Sequence, residues 1–437
     1  MNRQRLRGIF LLFIITIFYV VVVATEMYNP ITYLVLLVLM GLSVMRMNDR
    51  SLVSANTLFV IFFTYAVGFG PVILMARGIS YKYDFYKIIM GGLLAFCWGS
   101  AIVKPKSKIK AKDDKAKIRL NLSRLTVIRM IFFISIITSL YYLVSNRAYL
   151  LGGNIAADRI SAQSGNGMIL YISQLSIVAV PMLYDLYKKT KSEGKAVLSK
   201  YELIAETFLA TVTLLFSGFR GPVMTMYICL AVLFIRKNHV QNRKVILLGV
   251  IAVVVVEVMG MMRTSISGGD LITRNVFGSL LTTLIVGCIN LNYIFTAFPD
   301  RLPFQYGHTY LINLIMLLPG PDPDFTLWLK DALNLTFSGG GVTPSILGEF
   351  YINFRTVGIY IGMFLYGMLG VYVWRYFKKH SETFLGVFYV WQFAHSASGG
   401  IANVMITVML YTLVYWTVMM FPIHVRGLKY AGRQRYK

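Results

Sequence analysis

Residues 8–24 read GIFLLFIITIFYVVVVA, an apolar run that contains no charged residue. A helix needs about 20 mostly apolar residues to cross a bilayer, and fewer when its polar flanks reach the interface. The run therefore predicts a membrane-spanning helix near the start of the chain. Arg3, Arg5 and Arg7 stand immediately before it. They place the N-terminus in the cytoplasm, because Lys and Arg concentrate on the cytoplasmic side of membrane helices.

Comparable apolar runs recur along the whole chain and set its architecture. They are residues 31–45, 52–75, 85–103, 125–144, 168–186, 201–217, 222–235, 245–262, 357–374, 384–397 and 401–423. Together they predict an all-α, polytopic integral membrane protein with about 12 transmembrane helices. We expect a single transmembrane domain over residues 1–437, with both termini in the cytoplasm.

Composition excludes an ordinary soluble enzyme. Of the 437 residues, 57% are hydrophobic and only 14% are charged, whereas soluble domains carry roughly 25% charged residues. The formal net charge of +25 falls mostly on segments that the predicted topology places in the cytoplasm, above all residues 104–124. Since membrane topology explains this charge, we expect no nucleic-acid partner, and membrane lipids are the surroundings of the chain.

One predicted external segment is far longer than the others. It covers residues 263–356 and contains two apolar pieces, residues 276–298 and 310–318. The second piece is too short to span, so we expect both to lie in the interface or to re-enter the membrane. If both crossed instead, the total would be 14 helices with unchanged sidedness. Most of the polar, non-helical chain lies on this outer side, where we expect the chemistry.

Arg220 is the first candidate for binding an anion. It lies in the turn SGFRGP at residues 217–222, between two apolar runs and facing outside in the predicted topology. Pro222 is well placed as the first residue of the following helix, which puts Arg220 at a helix N-terminus, where N–H groups attract anions. An arginine fork in that position can hold a phosphate or pyrophosphate. The alternative is a tight hairpin whose arginine reaches the lipid headgroups.

The long external segment supplies further candidates. Arg263 and Arg274 are possible second phosphate ligands or interface anchors. Gly339, Gly340 and Gly341 permit close backbone approach or form a flexible turn.

Two residues of this segment could act as the base. Glu349 comes just before a predicted span, where it would serve as a base or pair with an arginine. His308, in the stretch YGHTYL at residues 306–311, is an alternative base.

Metal and nucleotide chemistry find little support in the sequence. The five histidines are too scattered for a zinc motif, and the DPD stretch at residues 322–324 is better explained as loop chemistry. No Walker A, GxGxxG or GxSxG pattern occurs in a fitting context. We therefore expect neither a metal nor a cofactor.

These motifs together resemble a known family. The chain combines a GxRG turn opening a mid-chain helix, a YGxTYL stretch with a following proline, and a GGG stretch leading into GExYxNF. This combination resembles the O-antigen polymerases, the Wzy-type oligosaccharide repeat-unit polymerases of bacterial surface polysaccharides. The resemblance covers topology along the whole chain and specific motifs from Ser217 to Phe354. In family members a glycine often follows the NF pair, whereas Arg355 occupies that position here.

The resemblance implies a membrane glycosyltransferase of the GT-C type in the bacterial inner membrane. Its site would face the periplasm and use glycans linked to undecaprenyl pyrophosphate as both donor and acceptor. A flippase and a chain-length regulator of the same pathway would be partners. Neither ATP nor a nucleotide sugar would be required, because the sugar–pyrophosphate bond is already activated.

The resemblance also suggests roles for the candidate residues. Arg220, helped by Arg263 or Arg274, would stabilise the charge that develops on the pyrophosphate. Glu349 would position or deprotonate the acceptor hydroxyl, with His308 as the alternative base. The three glycines and Tyr351 would shape the sugar cleft, since aromatic faces suit sugar rings.

Three other functions compete with polymerisation. A lipid-linked oligosaccharide flippase would show two similar halves and polar residues spread through its spans. An O-antigen ligase shares the topology and the arginines but transfers glycan to the lipid A core. A small-anion transporter could use Arg220 but leaves the long external segment without a purpose.

Overall fold

The computed structural model describes most of the chain. It covers residues 3–48, 51–79, 81, 83–103, 123–147, 166–192, 194, 197–216, 220–238, 276–315, 324–337, 340–380 and 383–421. Within these ranges every regular element is a helix: α1 (Arg3–Thr25), α2 (Pro30–Met47), α3 (Ala55–Phe63), α4 (Phe69–Ala76), α5 (Tyr83–Ile102), α6 (Arg124–Ser145), α7 (Gly167–Ser173), α8 (Ser176–Ser192), α9 (Lys200–Phe216), α10 (Arg220–Lys237), α11 (Val276–Ala297), α12 (Thr309–Ile315), α13 (Phe325–Ala332), α14 (Ser345–His380) and α15 (Phe384–Met419). A π-helical turn, Thr64–Gly68, joins α3 to α4.

Length and apolarity make this a multi-pass membrane protein. In the described part of the chain, nine candidate spans are long and apolar enough to cross a membrane. They are α1, α2, α3 with α4, α5, α6, α7 with α8, Leu280–Ala297 of α11, α14 and α15. The predicted span at residues 245–262 lies outside the described residues.

The two apolar pieces of the long external segment differ in structure. Leu280–Ala297 is long and apolar enough to span, whereas the second piece contributes only the seven-residue helix α12.

Arginines bind the carbonyl groups of helix C-termini at one end of the bundle. Arg5 at the start of α1 donates to the Ala101 and Val103 carbonyls at the end of α5, both at 2.7 Å. Arg124 at the start of α6 donates from Nε to the Phe421 carbonyl at 2.9 Å. Cationic groups satisfy the carbonyls that a helix C-terminus leaves unpaired. We call this the basic end of the bundle, and the opposite end, where residues 298–308 and 354–355 lie, the loop end.

Helix α5 packs closely against α14 in the middle of the bundle. A Cβ at Gly367 of α14 would overlap the Phe96 carbonyl of α5. Small residues of this kind let two helix backbones approach inside a membrane, where dispersion contacts drive helix association. Both helices run from the loop end towards the basic end, since Gly91 of α5 lies beside Tyr360 and Gly99 beside Phe364.

Helix α14 is a hairpin with two antiparallel arms. Its backbone leaves helical geometry at Phe354 and Arg355, and the Phe350 ring lies against Gly362. In a straight helix these two residues would be about 18 Å apart. The first arm, residues 345–353, therefore rises to the loop end, and the second arm, residues 356–380, descends from it.

Helix α15 is a second hairpin, with its tip at Gly400 (φ 79°). The rings of Phe388 and Tyr411 lie 5.6 Å apart, and the Tyr389 hydroxyl is 3.0 Å from that of Thr412. The arms, residues 384–399 and 401–419, match two separate runs predicted from the sequence, 384–397 and 401–423.

The tip of α15 lies inside the bundle rather than at its surface. The Tyr366 hydroxyl of α14 is 2.6 Å from the Ser396 hydroxyl of α15, which fixes the level of one hairpin against the other. Counting along both helices at 1.5 Å per residue puts Gly400 roughly 10 Å below Arg355. The non-helical backbone at this depth is covered by protein, because Pro344 and Glu349 lie against Gly400.

Candidate functional site

The Glu349 carboxylate closes the tip of α15. Its Oε1 accepts a hydrogen bond from the Ala402 N–H at 3.0 Å, and its Oε2 accepts one from Ile401. These two groups open the second arm of α15, where helical N–H donors have no partner within the helix. Glu349 is fully buried, and its two hydrogen bonds stabilise the backbone of α15 where the helix is interrupted.

The sequence suggested an arginine as the alternative partner of Glu349. Among the described residues no arginine lies within ion-pair distance of this carboxylate. The backbone N–H groups take that place. Backbone donors carry no signal in a sequence, so the partner could not be predicted.

Asn353, at the end of the first arm of α14, organises the loop end. Its Nδ2 donates to Thr309 Oγ1 at 2.6 Å and to the Glu349 carbonyl at 2.9 Å. Its Oδ1 accepts from the Gly307 N–H at 2.7 Å. In the sequence this residue belongs to the GExYxNF motif, and no separate role was predicted for it. Its side chain holds residues 307–309 against α14, directly above the tip of α15.

A second amide pair fixes α12 to the other hairpin. Asn313 Nδ2 donates to Asn403 Oδ1 at 2.8 Å, while Asn313 Oδ1 accepts from the Phe325 N–H at 2.9 Å. Asn403 also donates to the Gly399 carbonyl at 2.7 Å, on the other side of the tip. Glu349, Asn353, Asn313 and Asn403 thus form a polar layer between the hairpins and the loop end. Sequence reasoning named only Glu349 of these as a site residue.

His308 lies above this layer and is exposed. Its backbone N–H donates to the Gln305 carbonyl at 2.8 Å, so the loop is fixed while the imidazole remains accessible. The next residue, Thr309, is fully buried. Of the two base candidates, His308 is therefore the one that a substrate can reach from the loop end.

Tyr310 is held in its protonated form by its surroundings. Burial raises the pKa of Tyr310 well above its ordinary value, and the nearby Glu349 carboxylate raises this pKa further, while a hydrogen bond with Asn353 acts in the opposite direction. A phenol with so high a pKa does not act as a base near neutral pH.

Tyr351 packs inside the protein, although it was predicted to shape a sugar cleft. Only 8% of it is exposed, and its hydroxyl donates to the Phe298 carbonyl at 3.2 Å. Its ring lies 4.4 Å from that of Phe295. Tyr351 therefore joins α14 to the end of α11.

The glycine stretch packs against α13 where it is described. Gly340 has a φ of 61°, which suits a glycine. A Cβ at Gly341 would overlap Thr326 of α13, and the Val342 N–H donates to the Thr326 carbonyl at 2.9 Å. Close helix packing therefore accounts for Gly341, whereas Gly339 lies outside the described residues.

The predicted anion-binding arginines are only partly described. Arg220 is the first residue of α10, two residues before the start that Pro222 predicted. Arg263 and Arg274 lie outside the described residues.

The last residue of the DPD stretch at residues 322–324 caps α13. Asp324 Oδ1 accepts a hydrogen bond from the Thr326 N–H at 2.8 Å. The described ranges contain no group of three His, Cys, Asp or Glu side chains suited to a metal ion.

Comparison with known proteins gives one match. A family model described as O-antigen polysaccharide polymerase Wzy matches residues 7–421, which is nearly the whole chain. No curated protein and no solved structure matches this chain. The matched range includes both hairpins and every candidate residue considered above.

Proposed function

The chain belongs to the O-antigen polysaccharide polymerase Wzy family, and we propose that it joins lipid-linked oligosaccharide repeat units at the periplasmic face of the bacterial inner membrane. The donor is a growing glycan on undecaprenyl pyrophosphate, and the acceptor is a single repeat unit on a second carrier. The observation that carries the location of the site is the polar layer around Glu349 and Asn353, with exposed His308 above it.

The distribution of charge supports this orientation. Arg5 and Arg124 bind helix C-termini at the basic end, and Arg236 stacks over the Phe377 ring at 4.9 Å at the same end. Basic residues mark the cytoplasmic side of membrane helices. The loop end, with the polar layer and His308, then faces the periplasm, and both termini face the cytoplasm.

The reaction is a transfer of glycan between two lipid carriers. A hydroxyl of the acceptor's terminal sugar attacks the anomeric carbon of the donor, and the bond from that carbon to the pyrophosphate oxygen breaks. The hydroxyl proton passes to a base, and undecaprenyl pyrophosphate leaves with the bonding electron pair. A GT-C type of membrane glycosyltransferase performs this chemistry with the energy already stored in the donor.

The residues divide between charge stabilisation and proton transfer. Arg220, assisted by Arg263 or Arg274, stabilises the negative charge that grows on the leaving pyrophosphate, which lowers the barrier more than it stabilises the ground state. His308 is the base, because it is exposed where Glu349 is buried. Glu349 positions the tip of α15 beneath the site.

A deletion strain tests this proposal. Surface polysaccharide is resolved on a gel, and lipid-linked intermediates are identified by mass spectrometry. A polymerase predicts that the ladder collapses to core plus one repeat unit and that the wild-type gene restores it. Lipid-linked polymer that accumulates without transfer to core would identify a ligase. Repeat units confined to the cytoplasmic leaflet would identify a flippase.

Reconstitution provides the direct assay. The purified full-length protein, in lipid nanodiscs with the lipid-linked repeat unit alone, should form a ladder without ATP or nucleotide sugar. A requirement for either addition would contradict the mechanism.

A further inference from the structure

The reversal of α14 places an arginine in a conformation that favours glycine. Arg355 has φ 60° and ψ −162°, a combination that side chains with a Cβ rarely adopt. The residue before it, Phe354, has left helical geometry as well, with φ −139° and ψ 22°. A glycine would make the same turn without strain. The arginine therefore needs an explanation beyond the turn itself.

Neighbouring segments hold this turn in place. The N–H groups of Gln305 and Tyr306 donate to the carbonyls of Ile352 and Asn353 at 2.9 and 3.2 Å. Tyr306 is itself strained, with φ 45°. Two strained residues thus lie on one surface, fixed by backbone hydrogen bonds that come from segments distant in sequence.

This surface exposes two aromatic side chains and an arginine. Tyr306 is 77% exposed and Phe354 46% exposed, and Arg355, which follows Phe354 in the chain, is exposed as well. The Phe354 ring lies against the backbone of Gly307, one residue from His308. Within the described residues the Arg355 guanidinium takes part in no ion pair or cation–π contact.

Membrane anchoring accounts for part of this arrangement. Aromatic and basic residues often lie at the lipid interface, which explains their exposure. Anchoring does not require an arginine at a glycine-favouring position, because a flanking residue with ordinary backbone geometry would reach the same headgroups. Strained residues cluster at binding and catalytic sites, where the surrounding structure holds them.

We propose that Arg355, with the exposed rings of Phe354 and Tyr306, forms a subsite for an oxyanion-bearing part of the lipid-linked glycan. The inference rests on the proposed function. A guanidinium binds a carboxylate or phosphate through two parallel hydrogen bonds, and the neighbouring rings offer faces to the sugar. The oxyanion has two possible sources, the carrier pyrophosphate and a carboxylate on an acidic sugar of the repeat unit.

Binding measurements on the full-length protein test the subsite. The protein is placed in nanodiscs of phosphatidylcholine, which carries no net charge, and titrated with undecaprenyl pyrophosphate or with the lipid-linked repeat unit. We expect Arg355→Gln to lower affinity by about tenfold or more, as loss of a charged hydrogen-bond pair does. Arg301→Gln is the matched control, because Arg301 is also exposed at the loop end but has ordinary backbone geometry.

The two ligands distinguish the two sources. Loss of affinity for both ligands assigns the oxyanion to the pyrophosphate, and loss for the repeat unit alone assigns it to an acidic sugar. Unchanged affinity for both ligands, or an equal loss in Arg301→Gln, would overturn the proposal. A wild-type protein that binds neither ligand would overturn it together with the proposed function.

A second variant separates binding from folding. Arg355→Gly relieves the strained backbone, so we expect its Tm to rise while its affinity falls. If the Arg355 side chain had a purely structural role, Tm and affinity would change in the same direction. If this variant binds normally and the deletion strain still loses polymer, the subsite is wrong and the polymerase function stands.

Discussion

The Glu349 carboxylate accepts a hydrogen bond from the Ala402 backbone N–H at 3.0 Å. This contact joins the first arm of α14 to the second arm of α15, and both arms end at reversals of the chain. A polar group buried in a membrane protein needs hydrogen-bond partners of this kind. Through this contact a single side chain links the two hairpins.

Replacing Glu349 should act mainly on the stability of the protein and not directly on the reaction. Glu349→Ala leaves the Ile401 and Ala402 N–H groups buried and unpaired, at a cost of about 1–3 kcal/mol for each such group. Glu349→Gln retains one acceptor oxygen, so we expect its Tm between those of Glu349→Ala and the wild type. Thermal unfolding in nanodiscs measures this order. Two inactive variants with wild-type Tm would instead identify Glu349 as the base.

The tip glycine should tolerate no side chain. Gly400→Ala strains a backbone with φ 79° and also overlaps Glu349. Gly78 has a similar φ of 74°, and no atom of the described residues lies within 4 Å of a Cβ added there, so we expect Gly78→Ala to carry the conformational cost of roughly 1–2 kcal/mol. We expect a clearly larger drop in Tm for Gly400→Ala. Equal drops would show that the contact with Glu349 contributes nothing.

His308 should matter for catalysis and little for folding. His308→Ala should reduce polymerisation in the reconstituted assay by about 10²–10⁴-fold, the usual contribution of a general base. The free energy of unfolding of this variant should differ from that of the wild type by less than about 0.5 kcal/mol, because the His308 side chain is exposed. Gln305→Ala is the control, since among the described residues the Gln305 side chain donates its one hydrogen bond to the nearby Pro303 carbonyl. Normal polymer length and rate in His308→Ala would remove this residue from the mechanism.

The contact between α5 and α14 should be sensitive to one methyl group. Gly367→Ala pushes a Cβ into the Phe96 carbonyl, and we expect a loss of about 1–3 kcal/mol from this overpacking. Among the described residues, a Cβ at Gly41 would meet Val60 Cγ1 alone, at 3.8 Å, which is an ordinary contact. Comparing the Tm of Gly367→Ala and Gly41→Ala tests whether α5 and α14 form the tightly packed centre of the bundle.

Apolar runs predicted the helices well, because lipid and protein both favour apolar side chains over a fixed length. The two runs at residues 384–397 and 401–423 correspond to the arms of α15, and Gly400 separates them. The first arm of α14, residues 345–353, was not predicted as a helix of its own. It is too short to span, and its shape depends on contacts with the second arm.

The candidate site was predicted less completely than the fold. Glu349 drew attention as a charge next to a span, yet its partners are backbone N–H groups more than 50 residues away. Asn353 and Asn313 act through contacts separated by 44 and 90 residues. Periodicity and local motifs carry no information about such pairs. The sequence signal at Arg355 is that it stands where a glycine often follows the NF pair.

The partners of Arg124 impose an order on biosynthesis. Its guanidinium binds the carbonyls of Met419 and Phe421, almost 300 residues further along the chain. The chain must therefore be synthesised as far as Phe421 before the start of α6 gains these bonds. Truncation just before Met419 would leave α6 without these bonds, even though every residue of α6 is present.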